Sequence, residues 1–346
     1  MVAADCQAAL FPTTQPPAVE KVVTMWMKLL SVARNCFTET IRQPIYGVIL
    51  FVTAALLVLN VALSAYTFDD DNKVLKDLGL STLLMSGLFL AAFSAAGVLS
   101  REIENKTVLT VVSKPVSRSA FLAGKFLGLA GALAVAEYLS SLVFLLTVRH
   151  KVLERSSQQF DMPVIIFGVV ALMLAVLIAA FCNYFYGSQF ASLAVGLVVP
   201  FMTVAVLLVC LISPEWKLQP FAKDFLDGQI LAAIILVFFA VLVLTAVAVA
   251  ASTRLGQVMT LAVCTGFLLV GLVSDYLFGL HADKQFAARL GYWVSPNIGF
   301  LWVTDAITQG NTITFGYVGL ASLYALAYTA AAMCLGIALF QRREVG

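Results

Sequence analysis

A polar segment at residues 101–125, REIENKTVLTVVSKPVSRSAFLAGK, lies between two long apolar runs at residues 79–100 and 126–148. The segment holds five basic and two acidic residues, whereas Leu, Ala, Val and Phe dominate the flanking runs. Runs of this length are typical of membrane-spanning helices, because about 20 helical residues cross the ~30 Å hydrocarbon core. The segment between them is therefore predicted to lie in water, at one face of a membrane.

The composition of the whole chain is that of an integral membrane protein. Of its 346 residues, 61% are hydrophobic and only 12% are charged, far from the averages of soluble domains. Little sequence is left for a soluble catalytic domain. A polytopic, all-α bundle is expected, because lipid offers no partner to exposed backbone amides and the alternating pattern of a membrane β-barrel is missing from the sequence.

Apolar runs bounded by charged or turn-forming residues predict about eight membrane spans, within a range of six to eight. The uncharged turn near residues 184–189 leaves a re-entrant hairpin open for the fourth and fifth spans. The predicted spans cover residues 45–66, 79–100, 126–148, 163–186, 189–212, 230–252, 257–280 and 316–340.

The distribution of basic residues predicts that both chain termini lie in the cytoplasm. With eight spans and an inner amino terminus, twelve of the 21 Lys and Arg residues fall in inner segments, and the outer loops carry most of the acids. The expected organisation is a disordered cytoplasmic tail at 1–19, a transmembrane domain at 45–340 that contains the 101–125 loop, and a cytoplasmic tail at 341–346.

Residues 20–44 are predicted to form an amphipathic helix in the membrane surface. Apolar side chains recur there at helical spacing, with basic side chains largely between them. Pro44 is expected to end this helix after Arg42, because the residue before a proline avoids helical backbone angles. The alternative is a continuous cytoplasmic extension of the first span.

The sequence offers no pattern for a metal site or an enzymatic centre. The six cysteines form no CxxC pair, and His150 and His281 are too far apart in sequence for a helical ligand pair. Motifs of intramembrane hydrolysis are missing, as is the GxxxxGK[ST] loop that cradles nucleotide phosphates. The chain is expected to be non-catalytic, with no cofactor or metal of its own and no nucleic-acid partner.

The 101–125 loop is predicted to hold local structure. Residues 100–112 can extend the second span as a helix until Pro115 interrupts it. Ser117 or Ser119 can then cap a second short helix that leads into the third span. Apolar side chains recur within the loop, which suggests a packed or docked surface. A positively charged inner loop that only sets topology is the alternative.

The loop resembles that of the permease subunits of type-2 ABC transporters, the ABC-2 family. Its second half, KPVSRSAFLAGKFLG (114–128), carries most of the resemblance, and RQP (42–44), WVSPNIGFLWVTDAITQGN (293–311) and FQRRE (340–344) are also similar to family patterns. The loop residues that match are Glu102, Glu104, Thr107, Pro115, Ser117, Arg118, Phe121, Gly124 and Lys125.

The resemblance implies a non-catalytic permease subunit of an ATP-driven exporter. It would work as a dimer with a second copy or a similar permease, among membrane lipids, and dock on a separate ABC ATPase that holds ATP and Mg²⁺. A prokaryotic inner membrane is also implied. The residues implied in coupling to the ATPase are Arg101, Glu102, Glu104, Thr107, Lys114, Pro115, Ser117, Arg118, Phe121 and Lys125.

The eight predicted spans depart from the six that members of this family usually have. Residues 164–212 resemble a weak copy of residues 230–278, and a duplicated hairpin would explain the excess. Transfer of the family pattern helix by helix would then be unsafe beyond the third span.

Polar residues within the spans are candidates for a transport path, because ionisable groups are costly in the bilayer. Glu137, midway along the third span, is expected to face the bundle or a dimer interface, in a structural role or in the path. Asn60 and Asn183 are expected to bond between helices. Asp275 lies near the outer end of its span.

Two other functions stay open at this point. A secondary transporter independent of ATP is supported by Glu137 and the weak repeat. A non-transport membrane scaffold regulated by an ABC ATPase would use the same loop.

Overall fold

The structure, a computed structural model, describes most of the chain. The residues described are 18–65, 71–104, 117–152, 160–221, 227–279, 286, 289, 291–292 and 295–341, with side chains except at 18–24, 100–104 and 308. The predicted tail up to residue 17, the loop residues Thr107, Lys114 and Pro115, and the tail from residue 342 lie outside the described residues.

The regular elements of the described residues are helices, which confirms the predicted all-α bundle. An antiparallel bridge joins Ile212 to Leu218. In chain order, the α-helices are α1 Ala18–Arg42, α2 Pro44–Ser64, α3 Asp71–Glu104, α4 Arg118–His150, α5 Met162–Tyr186, α6 Phe190–Leu211, α7 Gly228–Ser252, α8 Gln257–Leu272, α9 Ser274–Leu277, α10 Thr304–Thr308 and α11 Phe315–Gln341, with a 3-10 turn at Ile298–Phe300.

Seven of these described helices, α2 to α7 and α11, are long and apolar enough to cross a membrane. They correspond to seven of the eight predicted spans. The uncharged turn between α5 and α6 joins two helices of 25 and 22 residues through Gly187, whose positive φ of 62° suits glycine. Each helix of this pair is therefore long enough to span by itself, in contrast to the re-entrant alternative.

The predicted span at 257–280 is wrong as a single spanning helix. Helix α8 stops at Leu272 after 16 residues, about 24 Å, and the chain bends at Val273 before the short α9. Asp275 in α9 accepts hydrogen bonds from Asn297 Nδ2 at 2.7 Å and from the Tyr292 hydroxyl at 3.1 Å. These polar contacts fold the chain back at the point where an apolar run alone would continue.

Helix α8 nevertheless connects the two ends of the bundle. We call the end where α4 begins the loop end, and the end where α4 stops the far end. Just before α8, Arg254 Nη2 donates to the Leu339 carbonyl of α11 at the loop end, at 2.9 Å. Beyond α8, the backbone amide of Asn297 donates to the hydroxyl of Tyr324, the tenth residue of α11, at 2.8 Å. Helix α8 thus lies between a contact at the loop end of α11 and a contact within the first half of α11.

The helices form an inner layer and an outer layer. In the most apolar stretches of α3, α4 and α7, 78%, 67% and 67% of residues are buried. The corresponding share lies between 22% and 33% in α2, α5, α6 and α11, which pack on the inner three. Helix α4 is thus a central helix that reaches from the loop end to the far end.

Candidate functional site

Ser117 starts α4 at the end of the 101–125 loop. Its backbone is extended, with ψ of 146°, and its Oγ accepts a hydrogen bond from the Ala120 amide at 3.2 Å. Capping by Ser117 was one of two predicted alternatives, and Ser119 instead contacts the Ser117 hydroxyl at 3.2 Å. The helix that follows is not short: α4 runs unbroken for 33 residues, about 50 Å. One rigid element therefore links the loop to the centre of the bundle.

The first turn of α4 is bound to the last turn of α11. The rings of Phe121 and Phe340 stack with centroids 6.1 Å apart, and both side chains are buried. Arg118 Nη1 donates to the Gln341 carbonyl at 3.2 Å. The last carbonyls of a helix lack intrahelical partners and carry partial negative charge, so a guanidinium is favourable there. A movement of α4 at this end will therefore also move α11.

Lys125 faces helix α1 and is only 4% exposed. Its Nζ lies 3.4 Å from Glu39 Oε2 and 5.7 Å from the centroid of the Phe121 ring. The Lys125 carbonyl also accepts a hydrogen bond from Cys36 Sγ at 3.3 Å. Burial of an ammonium group is costly unless it is paired, and Glu39 provides the pairing. Lys125 therefore connects α4 to α1.

Helix α1 packs along α4 over a row of glycines. A Cβ atom placed on Gly124 would lie 2.9 Å from the Val32 side chain, and one on Gly128 would lie 2.3 Å from the Ala33 carbonyl oxygen. Only glycine leaves room for so close an approach of two helices. The contacts advance in the same direction along both helices, so residues 29–37 run beside α4. Whether α1 also lies in the membrane surface stays a prediction.

The predicted coupling residues thus divide by their surroundings. Phe121 and Lys125 are buried against other helices, whereas Ser117 is exposed and Arg118 is half-buried. Arg101, Glu102 and Glu104 lie in the last turns of α3, whose backbone alone is described there. The structure therefore places Phe121 and Lys125 inside the bundle, where they contact α11 and α1.

Glu137 lies in the middle of the inner layer. Its side chain is 5% exposed, and a Cβ atom on Gly87 of α3 would lie 2.6 Å from its Oε1 and 2.2 Å from Val241 of α7. Glu137 thus faces the place where α3, α4 and α7 meet, inside the bundle. Its role there, structural or in a transport path, stays a prediction.

The other polar candidates lie in separate places. Asn60 Nδ2 donates to Thr82 Oγ1 at 3.0 Å, between α2 and α3. Asn183 Nδ2 donates to the Ser188 carbonyl at 2.6 Å, within the turn after its own helix. Asp275 belongs to the hydrogen-bonded bend after α8. The structure therefore does not gather these residues and Glu137 into one site.

A buried ion pair at the far end was missed by the sequence analysis. Arg149 Nε in α4 lies 3.0 Å from Asp161 Oδ2 at the start of α5, and the two side chains are 5% and 6% exposed. Arg149 Nη2 also donates to the Ile212 carbonyl after α6, at 3.3 Å. The one available signal was that opposite charges border the third and fourth spans. The pair therefore connects the α5–α6 hairpin to α4.

An exposed pair in the loop after α6 provides a contrast. Lys217 Nζ lies 2.7 Å from Glu215 Oε2, with both side chains largely in solvent. The hydrogen bond between them lowers the pKa of the Glu215 carboxyl and raises the pKa of the Lys217 ammonium group. Such surface pairs contribute little to stability, which makes these residues suitable for control substitutions.

Among the described residues, no group of three or more His, Cys, Asp or Glu side chains is placed to hold a metal ion.

In a comparison with known protein families, residues 30–185 match the family described as ABC-2 family transporter protein. The matched range runs from the second half of α1 through α2, α3, the 101–125 loop and α4, and includes all but the last residue of α5. A search of the curated proteins finds no match to this chain.

Proposed function

Because residues 30–185 match the ABC-2 family of transporter proteins, we propose that this chain is the membrane-spanning permease subunit of an ATP-driven ABC exporter. Members of this family are membrane components of transporters and in general associate with an ABC ATPase. In the proposal, ATP and Mg²⁺ are bound by that separate subunit. The chain works as a dimer, with a second copy or a similar permease, in a prokaryotic inner membrane with both termini in the cytoplasm.

The family match across the 101–125 loop carries the proposal, and the contacts of α4 support it. Arg118 and Phe121 hold α11, and Lys125 holds α1. An ATPase that closes on ATP would displace the loop and move these three helices together. Since α4 continues past Glu137 between α3 and α7, its tilt would change the packing at the centre of the bundle.

The proposal predicts that the intact chain co-purifies with an ATPase and with ATP hydrolysis. A mild-detergent pull-down from the native membrane is compared for the intact chain and a variant with Glu102→Ala, Glu104→Ala and Arg118→Ala. We expect the amount of ATPase that co-purifies with the variant to fall at least about tenfold, because three charged contacts of about 0.5–1 kcal/mol each are lost. Mass spectrometry measures the co-purified ATPase, and phosphate release measures ATP hydrolysis.

The control carries Glu215→Ala and Lys217→Ala, exposed charges at the far end of the bundle. It should retain the ATPase in full. A variant with Glu102→Ala and Glu104→Ala alone leaves the Arg118 contact with α11 intact and separates docking from helix packing. If the intact chain is isolated alone and without hydrolysis, while other membrane complexes survive the same extraction, the proposal is wrong and ATP-independent transport becomes the first alternative.

A further inference from the structure

A polar cleft lies where α1 ends and α2 begins. Its volume is about 370 Å³. Helix α2 is apolar from Pro44 onward and long enough to cross the membrane, so the cleft lies at the boundary between water and lipid. The residues that line it are Asn35, Thr38, Glu39, Arg42, Gln43 and Pro44.

The charge of this cleft is positive. Arg42 lines it, and Arg34 lies eight residues earlier on α1, outside the lining, with both side chains exposed. Within the described part of the chain, neither guanidinium group takes part in an ion pair. Glu39 is the one acidic side chain in the lining, and the buried Lys125 neutralises it at 3.4 Å. The cleft therefore suits an anion.

An exposed apolar strip adjoins the basic face of α1. Trp26, Met27 and Leu30 are 54%, 56% and 61% exposed, although the opposite face of α1 is packed on α4. Tryptophan is enriched at headgroup depth, and a basic face beside an apolar face is the pattern of helices that bind anionic membrane surfaces. A ligand with both a negative headgroup and acyl chains matches this surface.

We propose that the cleft binds the phosphate of an anionic phospholipid. Arg42 contacts the phosphate, the side-chain amides of Asn35 and Gln43 supply hydrogen bonds, and Arg34, outside the cleft, adds positive charge that attracts the lipid. The acyl chains continue from the cleft along exposed apolar side chains of α2, such as Val48 and Phe51. The bound lipid would hold the junction of α1 and α2 at headgroup depth. This proposal needs only an integral membrane protein and is independent of docking on an ATPase.

The test uses the full chain in vesicles of phosphatidylcholine that contain a small fraction of phosphatidylglycerol with a photoactivatable group next to its phosphate. We expect the crosslink to map to α1, and a photoactivatable phosphatidylcholine to label α1 much less. Arg42→Gln should lower the phosphatidylglycerol crosslink about fivefold, and the double change with Arg34→Gln should lower it further, since each basic residue contributes separately to attraction. Lys217→Gln, at the far end, should leave the crosslink unchanged.

Two further variants separate a built site from general attraction. Asn35→Phe keeps both arginines and fills the cleft, so it should lower the crosslink as strongly as the double change. Arg42→Lys keeps the charge and should retain the crosslink within about twofold, which shows that the helix is still folded.

Three outcomes would overturn the proposal. One is equal labelling of α1 by the two lipids, and another is equal labelling of the wild type and the double variant. The third is loss of the crosslink when millimolar inorganic phosphate is added at constant ionic strength, because the cleft would then be a site for free phosphate.

Discussion

The change Gly128→Val is expected to separate α1 from α4. A Cβ atom at this position would lie 2.3 Å from the Ala33 carbonyl oxygen and 2.7 Å from Cys36 Cβ. The first of these is a backbone atom, so no side-chain rotation can relieve the overlap and α1 must shift as a whole. We expect a loss of about 3 kcal/mol in the free energy of unfolding, near the upper end for an overpacked interior.

Labelling of Cys36 with a maleimide measures this separation. Cys36 is 1% exposed in the contact between α1 and α4, so it should be protected in the wild type and reactive in the variant. The other five cysteines are replaced by alanine. Gly196→Val is the matched control, because no described atom lies within 4 Å of a Cβ atom there. A Gly128→Val variant with protected Cys36 and unchanged stability would show that α1 does not pack on this row of glycines.

The second large effect is expected at Arg149 and Asp161. Removal of either partner, by Arg149→Met or Asp161→Leu, leaves an uncompensated charge in a buried position. We expect each single change to lower the free energy of unfolding by about 3–5 kcal/mol. The double change removes both charges and should recover most of that loss, because a buried ion pair is often replaceable by apolar side chains of similar volume.

Unfolding in detergent, followed by circular dichroism across the four members of this cycle, measures the coupling between the two residues. Lys217→Ala, in the exposed pair, is the control and should have little effect. Cys36 should stay protected in all four proteins, because the pair lies at the opposite end of α4. If the two single losses simply add in the double variant, the two side chains do not stabilise each other in the membrane.

The spans that could be predicted from the sequence depend on local properties. The length of an apolar run determines whether its helix can cross a membrane, and seven predicted spans correspond to helices. The break between α1 and α2 follows from the restriction that Pro44 imposes on Gln43, which is extended with ψ of 131°. The start of α4 at Ser117 follows from a hydroxyl that accepts from an amide three residues later.

The prediction that failed depends instead on contacts between residues that are distant in sequence. The apolar run at 257–280 is long enough to span, yet α8 ends at Leu272, where Gly271 packs against Ile298 and Asp275 bonds to Asn297. Those contacts join residues more than 20 positions apart, which no local pattern reveals.

The sequence by itself determined the class of the protein, most of its spans and the start of α4, because hydropathy, proline geometry and capping act within a few residues. Only the tertiary structure decided which polar residues are paired. Lys125 is paired with Glu39 on α1, and Arg149 is paired with Asp161 across the α4–α5 connection. The physical reason is that a buried charge requires a partner, and the chain supplies that partner through helix packing rather than through neighbours in sequence.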